Sequence, residues 1–136
     1  MIILRKYQPD DIAKIEDAVE PFTAEGTFRA DNSLAITGVE DGHVMACGGL
    51  QLVKEGEGVV WVRLSKKCLT KPYRWARTIK ETYRLMTESV GHITVTTYIL
   101  SDFCKGDKLA RWIGLKETGD TEVYLGRTYN KYTGVI

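Results

Sequence analysis

Eight lysines and arginines fall between Arg63 and Arg84, against a single acid, Glu81. That net +7 over 22 residues lies where an apolar strand, Val59-Val60-Trp61-Val62-Arg63-Leu64, hands over to a helix. A helix start presents unpaired backbone N–H groups and the positive end of the helix dipole, so cations added there make a place for phosphate. Cys68 stands in the same basic loop, where neighbouring positive charge lowers a thiol pKa and favours a nucleophilic thiolate. Neither of the two histidines, His43 and His92, is near it in sequence, and residues 63–84 contain no glycine. Without glycine a Cβ occupies the space that a closely approaching phosphate needs.

The elements that must position this segment follow from periodicity. After the basic helix comes a second apolar strand, His92 to Leu100. Strand, helix and strand in that order form a right-handed crossover and lie parallel in one sheet. Thr70 is the predicted N-cap of the helix, and Pro72 sits in its first turn, where a missing N–H costs nothing. Trp75, Ile79, Tyr83, Met86 and Val90 recur on one face as core, with Arg74, Arg77 and Arg84 on the other.

Upstream, Ile2 to Tyr7 alternates as a strand. A helix is predicted to open at Pro9-Asp10-Asp11, with Ile12, Ile15, Val19 and Phe22 at helical spacing and Pro21 ending or bending it. Residues 23–33 show no period and read as a loop with a short helical turn over a binding cleft. Leu34 to Val39 and Val44 to Val53 are strands joined at Asp41-Gly42, a turn that needs positive φ. Gly48-Gly49 inside the second strand marks a bulge or a close backbone approach. Downstream, Asp107 to Ile113 is a short helix stopped by Gly114. Leu115 to Thr118 and Glu122 to Tyr129 form a closing hairpin around Gly119-Asp120. The order β-α-loop-β-β-β-α-β-α-β-β describes one domain, residues 1–136, of α/β (α+β) class with a mixed sheet and helices on its faces.

Composition narrows the function classes. With 43% apolar and 27% charged residues, the chain is an ordinary globular domain rather than a disordered one. Residues 1–62 hold five basic and eleven acidic residues, net −6, and residues 85–136 balance six against six. The basicity is therefore a patch, which argues against non-specific nucleic-acid binding over the whole surface. A local contact through Lys66, Lys67, Lys71, Arg74 and Arg77 beside Trp75 stays as a lesser reading, although Trp75 falls on the apolar side. Three cysteines with no C-x-x-C pair and only two histidines predict no metal site. The opening Met1-Ile2-Ile3-Leu4 is too short for a signal peptide's apolar region, and no stretch is long enough to span a bilayer. A cytoplasmic protein is expected.

The order of elements, the strand-loop-helix at Val59–Met86 and the ending Lys108-Leu109-Ala110-Arg111-Trp112-Ile113-Gly114-Leu115 resemble the GCN5-related N-acetyltransferase (GNAT) fold over nearly the whole chain. Trp61-Val62-Arg63-Leu64-Ser65, the basic helix and Trp112-Ile113-Gly114 are also similar to a small phage branch of that family, which includes an internal virion protein of T7-like phages. The resemblance implies a mostly antiparallel sheet whose central parallel pair splays apart, Val62–Leu64 from Tyr98–Leu100. In the family, the unpaired edge so exposed binds the pantetheine arm of an acyl-CoA like an added strand. Carried onto this chain, that gives Val62 and Leu64 to the arm, and Ser65, Lys66, Lys67, Thr70, Lys71 and Arg74 to the pyrophosphate. Glu57 and Asp102 are the candidate general bases, and Tyr98 or Tyr124 the candidate acid for the leaving thiolate.

The chain departs from the family at two places. The family loop Gln/Arg-x-x-Gly-x-Gly/Ala reads Ser65-Lys66-Lys67-Cys68-Leu69-Thr70 here, and the tyrosine four residues before the closing glycine is Ala110. Two functions follow. One is an N-acyltransferase using acetyl-CoA or another acyl-CoA and a small-molecule or protein amine acceptor. The other is a catalytically silent GNAT-fold phage protein, a virion or host-interaction component, with a filled cofactor cleft and a phage or host protein as partner.

Overall fold

In the computed structural model, which describes residues 1–22, 33–70 and 72–135, the strands are β1 (Ile2–Lys6), β2 (Ala18–Phe22), β3 (Ser33–Glu40), β4 (His43–Lys54), β5 (Glu57–Ser65), β6 (Thr94–Leu100), β7 (Lys116–Tyr124) and β8 (Arg127–Val135). The helices are α1 (Pro72–Val90) and α2 (Cys104–Ile113), with short 3-10 helices at Ile12–Lys14 and Lys66–Thr70. The sheet runs β1-β3-β4-β5-β6-β8-β7, and β2 pairs with β5 off that path. Among the described residues every pairing is antiparallel except β5 with β6, the parallel pair that a β5-α1-β6 crossover produces. The class is the expected one, a mixed and mostly antiparallel sheet with helices against it.

The face of α1 read from the sequence is the face that packs. Trp75, Tyr83 and Met86 are buried, and they join Phe22, Leu50, Val60, Val62, Val95 and Ile99 in the main core cluster. A smaller cluster on the other side of the sheet gathers Tyr7, Ile15, Cys47 and Trp61. The β3–β4 turn has Asp41 at φ 53° and Gly42 at φ 77°, as its sequence requires. At Gly48 the ladder to β5 runs unbroken, and a Cβ there would lie 3.1 Å from the Trp61 carbonyl oxygen. Close backbone approach, not a bulge, is the reason for that glycine. Gly114 ends α2 in the left-handed region, and Leu115 N–H closes the cap on the Ala110 carbonyl. Thr70 departs from its predicted capping role: its hydroxyl donates back to the Lys67 carbonyl.

Two elements differ from the sequence expectation. Residues 9–22 form no α-helix but a single 3-10 turn followed by β2. The buried Asp11 carboxylate draws donors from Arg5, the Gln8 N–H and Thr37, and this holds the segment in a turn. The β2–β5 register then shifts between Val19 and Phe22. That irregularity lets two side chains three residues apart both reach the core, which imitates helical spacing; it also accommodates Pro21, which has no N–H to give a ladder. The closing hairpin turns at Leu125 (φ 50°) and Gly126 (φ 77°), not at Gly119-Asp120. Gly119-Asp120 instead lies in a register break of β7, where Thr118 Oγ1 accepts the Asp120 N–H. The loop predicted over a cleft at residues 23–33 lies, but for Ser33, outside the described residues.

Candidate functional site

β5 and β6 are paired over only three positions, Glu57↔Thr94, Gly58↔Val95 and Val59↔Thr96. Beyond them the strands part, at the place expected from the sequence. The Thr97 hydroxyl donates to the Val60 carbonyl at 2.8 Å and satisfies an acceptor that the parting strands leave unladdered. The edge of β5 past this vertex is not open. Phe22 pairs with Val62, Val19 with Leu64 and Ala18 with Ser65, while β4 takes the opposite edge through Gly48↔Val62 and Ala46↔Leu64. β2 thus lies in the wedge between the splayed strands and touches β6 and α2. Phe22 is 1% exposed there. Gly106 of α2 sits so close to β2 that a Cβ on it would be 3.1 Å from the Pro21 carbonyl oxygen.

The basic loop is likewise occupied by the chain's own groups. Lys66 N–H donates to the Asp17 carbonyl at 3.1 Å, and Lys67 N–H to Ser65 Oγ at 3.2 Å. Ser65 Oγ in turn donates to Asp17 Oδ1 at 2.7 Å. That hydrogen bond, helped by the Lys67 and Lys66 charges, holds the Asp17 carboxyl below its usual range. A carboxylate therefore stands against the basic loop and accepts a hydrogen bond from its first residue. Arg74 is ion-paired with Glu40 at 2.6 Å, at the far end of β3. Lys66, Lys67 and Thr70 are exposed, and Lys71 lies outside the described residues.

The candidate acid–base groups are scattered. Glu57 is at the closed end of the wedge, paired with Lys54. Asp102 lies in the exposed turn after β6, roughly 20 Å further along at strand spacing. Tyr98 alternates with the buried Val95, Thr97 and Ile99, so it belongs to the opposite face of β6. Tyr124 is at the tip of the β7–β8 hairpin, opposite Arg127. Cys68 contradicts the expectation of a lowered pKa: burial pushes its thiol up to about 12, and its Sγ donates to the Met45 carbonyl. Burial raises Cys47 as well, to about 11. Of the three cysteines only Cys104 is exposed. A disulfide-exchange reagent at pH 8 should therefore titrate one thiol rapidly in the native protein and all three in guanidinium. Rapid labelling of Cys68 would contradict its burial.

Asp17 and β2 were not apparent as parts of the site. The one local signal was Pro21, a residue poorly suited to the helix that its neighbours' spacing suggested. A cleft of about 420 Å³ also opens between α1 and α2, with Pro21, Leu64, Cys68, Tyr73, Leu109 and Trp112 among its lining.

With this topology established, solved structures provide close geometric matches. The ribosomal-protein-S5-alanine acetyltransferase of Vibrio fischeri superimposes with a TM-score of 0.71 at 10% identity, over 98% of this chain and 92% of that one. A GNAT-family acetyltransferase of Streptococcus pneumoniae matches with a TM-score of 0.69 at 10% identity over the whole of both chains. The fold is that of the GNAT acetyltransferases. The microcin C7 self-immunity acetyltransferase MccE, solved with acetyl-CoA and AMP, superimposes with a TM-score of 0.59 at 14% identity over 78% of this chain and 62% of that one. No family model matches the sequence, and no curated protein matches it either.

Acyl-CoA is the cofactor that a GNAT fold implies, and the residues present do not fit it. The edge that would pair with the pantetheine arm is laddered to β2, and loop N–H groups that would meet the pyrophosphate are bonded to Asp17 and Ser65.

Proposed function

We propose that this chain is a GNAT-fold binding protein in which the cofactor wedge is closed by its own strand, and that it is not an acyl-CoA-dependent transferase. The β2–β5 ladder at Val62, Leu64 and Ser65 is the observation that carries the reading. A strand already in the wedge satisfies the backbone groups that an incoming pantetheine would have to satisfy, so the cofactor gains nothing without first displacing it. The scattered positions of Glu57, Asp102 and Tyr98 add weight, because general acid–base catalysis needs groups within hydrogen-bond reach of one reacting centre. The setting we infer is the phage one suggested by Trp61–Ser65 and Trp112–Gly114: a virion or host-interaction component working in the host cytoplasm or the particle, with a phage or host protein as partner. Among the described residues no helix is long and apolar enough to cross a membrane.

The transferase reading, with an acyl-CoA donor and a small-molecule or protein amine acceptor, has two supports, of which the first is the fold shared with acetyltransferases. The α1–α2 cleft stays open beside β2, so withdrawal of the strand would restore a groove. Nucleic-acid contact has less. Trp75 is 3% exposed and cannot stack on a base, and Arg74 and Arg84 are tied to Glu40 and to Glu81 and Glu88.

Isothermal titration with acetyl-CoA at low and moderate salt separates the first two readings. The closed wedge predicts no saturable heat up to about 1 mM ligand, weaker than ~4 kcal/mol of binding free energy. Micromolar binding would overturn it.

A further inference from the structure

We propose that the α1–α2 groove binds a small anionic amphiphile, an aliphatic chain or ring that ends in a carboxylate or phosphate. The inference rests on the closed-wedge reading, because β2 supplies part of the floor. Pro21 and Leu64 form that floor, and Ile79, Phe103 and Leu109 stand around it. At about 420 Å³ the space falls within the ~300–1,000 Å³ typical of ligand sites that are mostly apolar with a few placed polar groups. The placed groups here are cations. Lys105 and Lys108 line the groove, and among the described residues no acid does.

Two more cations sit at its rim. Lys80 Nζ lies 4.3 Å from the centre of the Trp112 ring, and the Arg77 guanidinium 5.8 Å from that of Tyr73. The acids on the two helices are engaged elsewhere. Asp107, between the two groove lysines in sequence, accepts the Tyr132 hydroxyl at 2.6 Å and the Arg111 guanidinium. Glu81 and Glu88 both hold Arg84. Among the described residues no carboxylate is paired with Lys80, Lys105, Lys108 or Arg77. An apolar interior with lysines at its mouth selects an apolar body with an anionic head. The body gains by leaving water, and the head gains a charge-assisted hydrogen bond. Exposure of Tyr73 at 66% and Trp112 at 42% leaves both rings available to cover the bound chain.

The three tryptophans make the test specific. Trp75 and Trp112 line the groove, whereas Trp61 belongs to the cluster on the other face of the sheet. Decanoate, titrated below its micellar range into the ¹⁵N-labelled full chain, should shift the Trp75 and Trp112 indole N–H signals saturably and leave Trp61 in place. The expected Kd is about 10–100 μM. The double variant Lys105→Glu, Lys108→Glu should raise that Kd at least tenfold while the Trp61 signal reports an intact fold. Decylamine, with the same chain and the opposite charge, should not bind.

The absence of any indole shift at 1 mM decanoate, equal binding of decylamine, or an unchanged Kd in the charge-reversed variant would each overturn the proposal. Acetyl-CoA run in parallel separates the two readings. A silent acetyl-CoA titration with no decanoate response sinks the amphiphile site alone, whereas acetyl-CoA that perturbs residues 62–65 and displaces decanoate sinks both.

Discussion

Asp11→Ala should cost about 3 kcal/mol of folding stability, read as a fall in the urea midpoint with unchanged slope. The Asp11 carboxylate is fully buried. It accepts two hydrogen bonds from Arg5 at 2.7 and 2.9 Å, one from the Gln8 N–H at 2.8 Å and one from the Thr37 hydroxyl at 2.7 Å, with Lys14 Nζ 3.6 Å away. Truncation removes four acceptor contacts and strands donors that have already left water. Loss of one member of a buried pair typically costs ~3–5 kcal/mol, and partial exposure of Arg5 puts this case at the lower end. The consequence extends to the wedge, because the turn that Asp11 holds is what delivers the chain to β2. The effect carries a pH signature. Arg5 above all, then the Gln8 and Thr37 bonds, hold the Asp11 carboxyl well below the usual carboxylate range. A lowered folded-state pKa gives stability that is complete above the unfolded value near 4 and fades as pH falls from there toward the folded value. The stability gap between wild type and Asp11→Asn should therefore be widest near pH 7 and narrow by pH 3. A gap independent of pH would contradict an ionised, paired Asp11.

Phe22→Ala should cost about 3–4 kcal/mol, the range for emptying a large, fully buried aromatic site. Phe22 is opposite Val62 in the β2–β5 ladder and belongs to the main core cluster, so its loss leaves a cavity in the wedge itself. Phe22→Leu keeps most of the volume and should cost ~1.5 kcal/mol or less. The ratio between the two is the useful quantity. Near-equal costs would mean that the site collapses or that Phe22 does not fill it. Residue-specific hydrogen exchange adds a second readout, because amides at 62–65 should lose protection in Phe22→Ala beyond the change in global stability.

The parts of the molecule that were evident from sequence are those specified by local signals. The apolar run at Val59–Leu64, the helical face of Trp75, Tyr83 and Met86, and the strand at Thr94–Leu100 together dictate a parallel crossover, and Asp41-Gly42 dictates a hairpin. The segment from Pro9 to Phe22 failed because its decisive partners are remote. Asp11 looked like a helix-start acid, yet Thr37, 26 residues away, and Arg5 in β1 claim it. Ile12, Ile15, Val19 and Phe22 had helical spacing, yet the last two owe theirs to a register shift against β5. The surroundings of the candidate site were hidden for the same reason. Arg74 looked like a free phosphate ligand because Glu40, which holds it, lies 34 residues away, and the Asp17 carboxylate that feels the Lys66 and Lys67 charges lies 49 and 50 residues from them. The splay itself was placed correctly; that the chain fills it was not visible from spacing.

Amide hydrogen exchange across residues 18–22 and 62–65, with and without 1 mM acetyl-CoA, tests the closed wedge most directly. A strand built into the fold predicts ladder amides in both segments protected near the global limit, with rates unchanged by the ligand. Fast exchange at 62–65 in the free protein, slowed when acetyl-CoA is added, would mean that the wedge is open and that the cofactor, not β2, is its occupant.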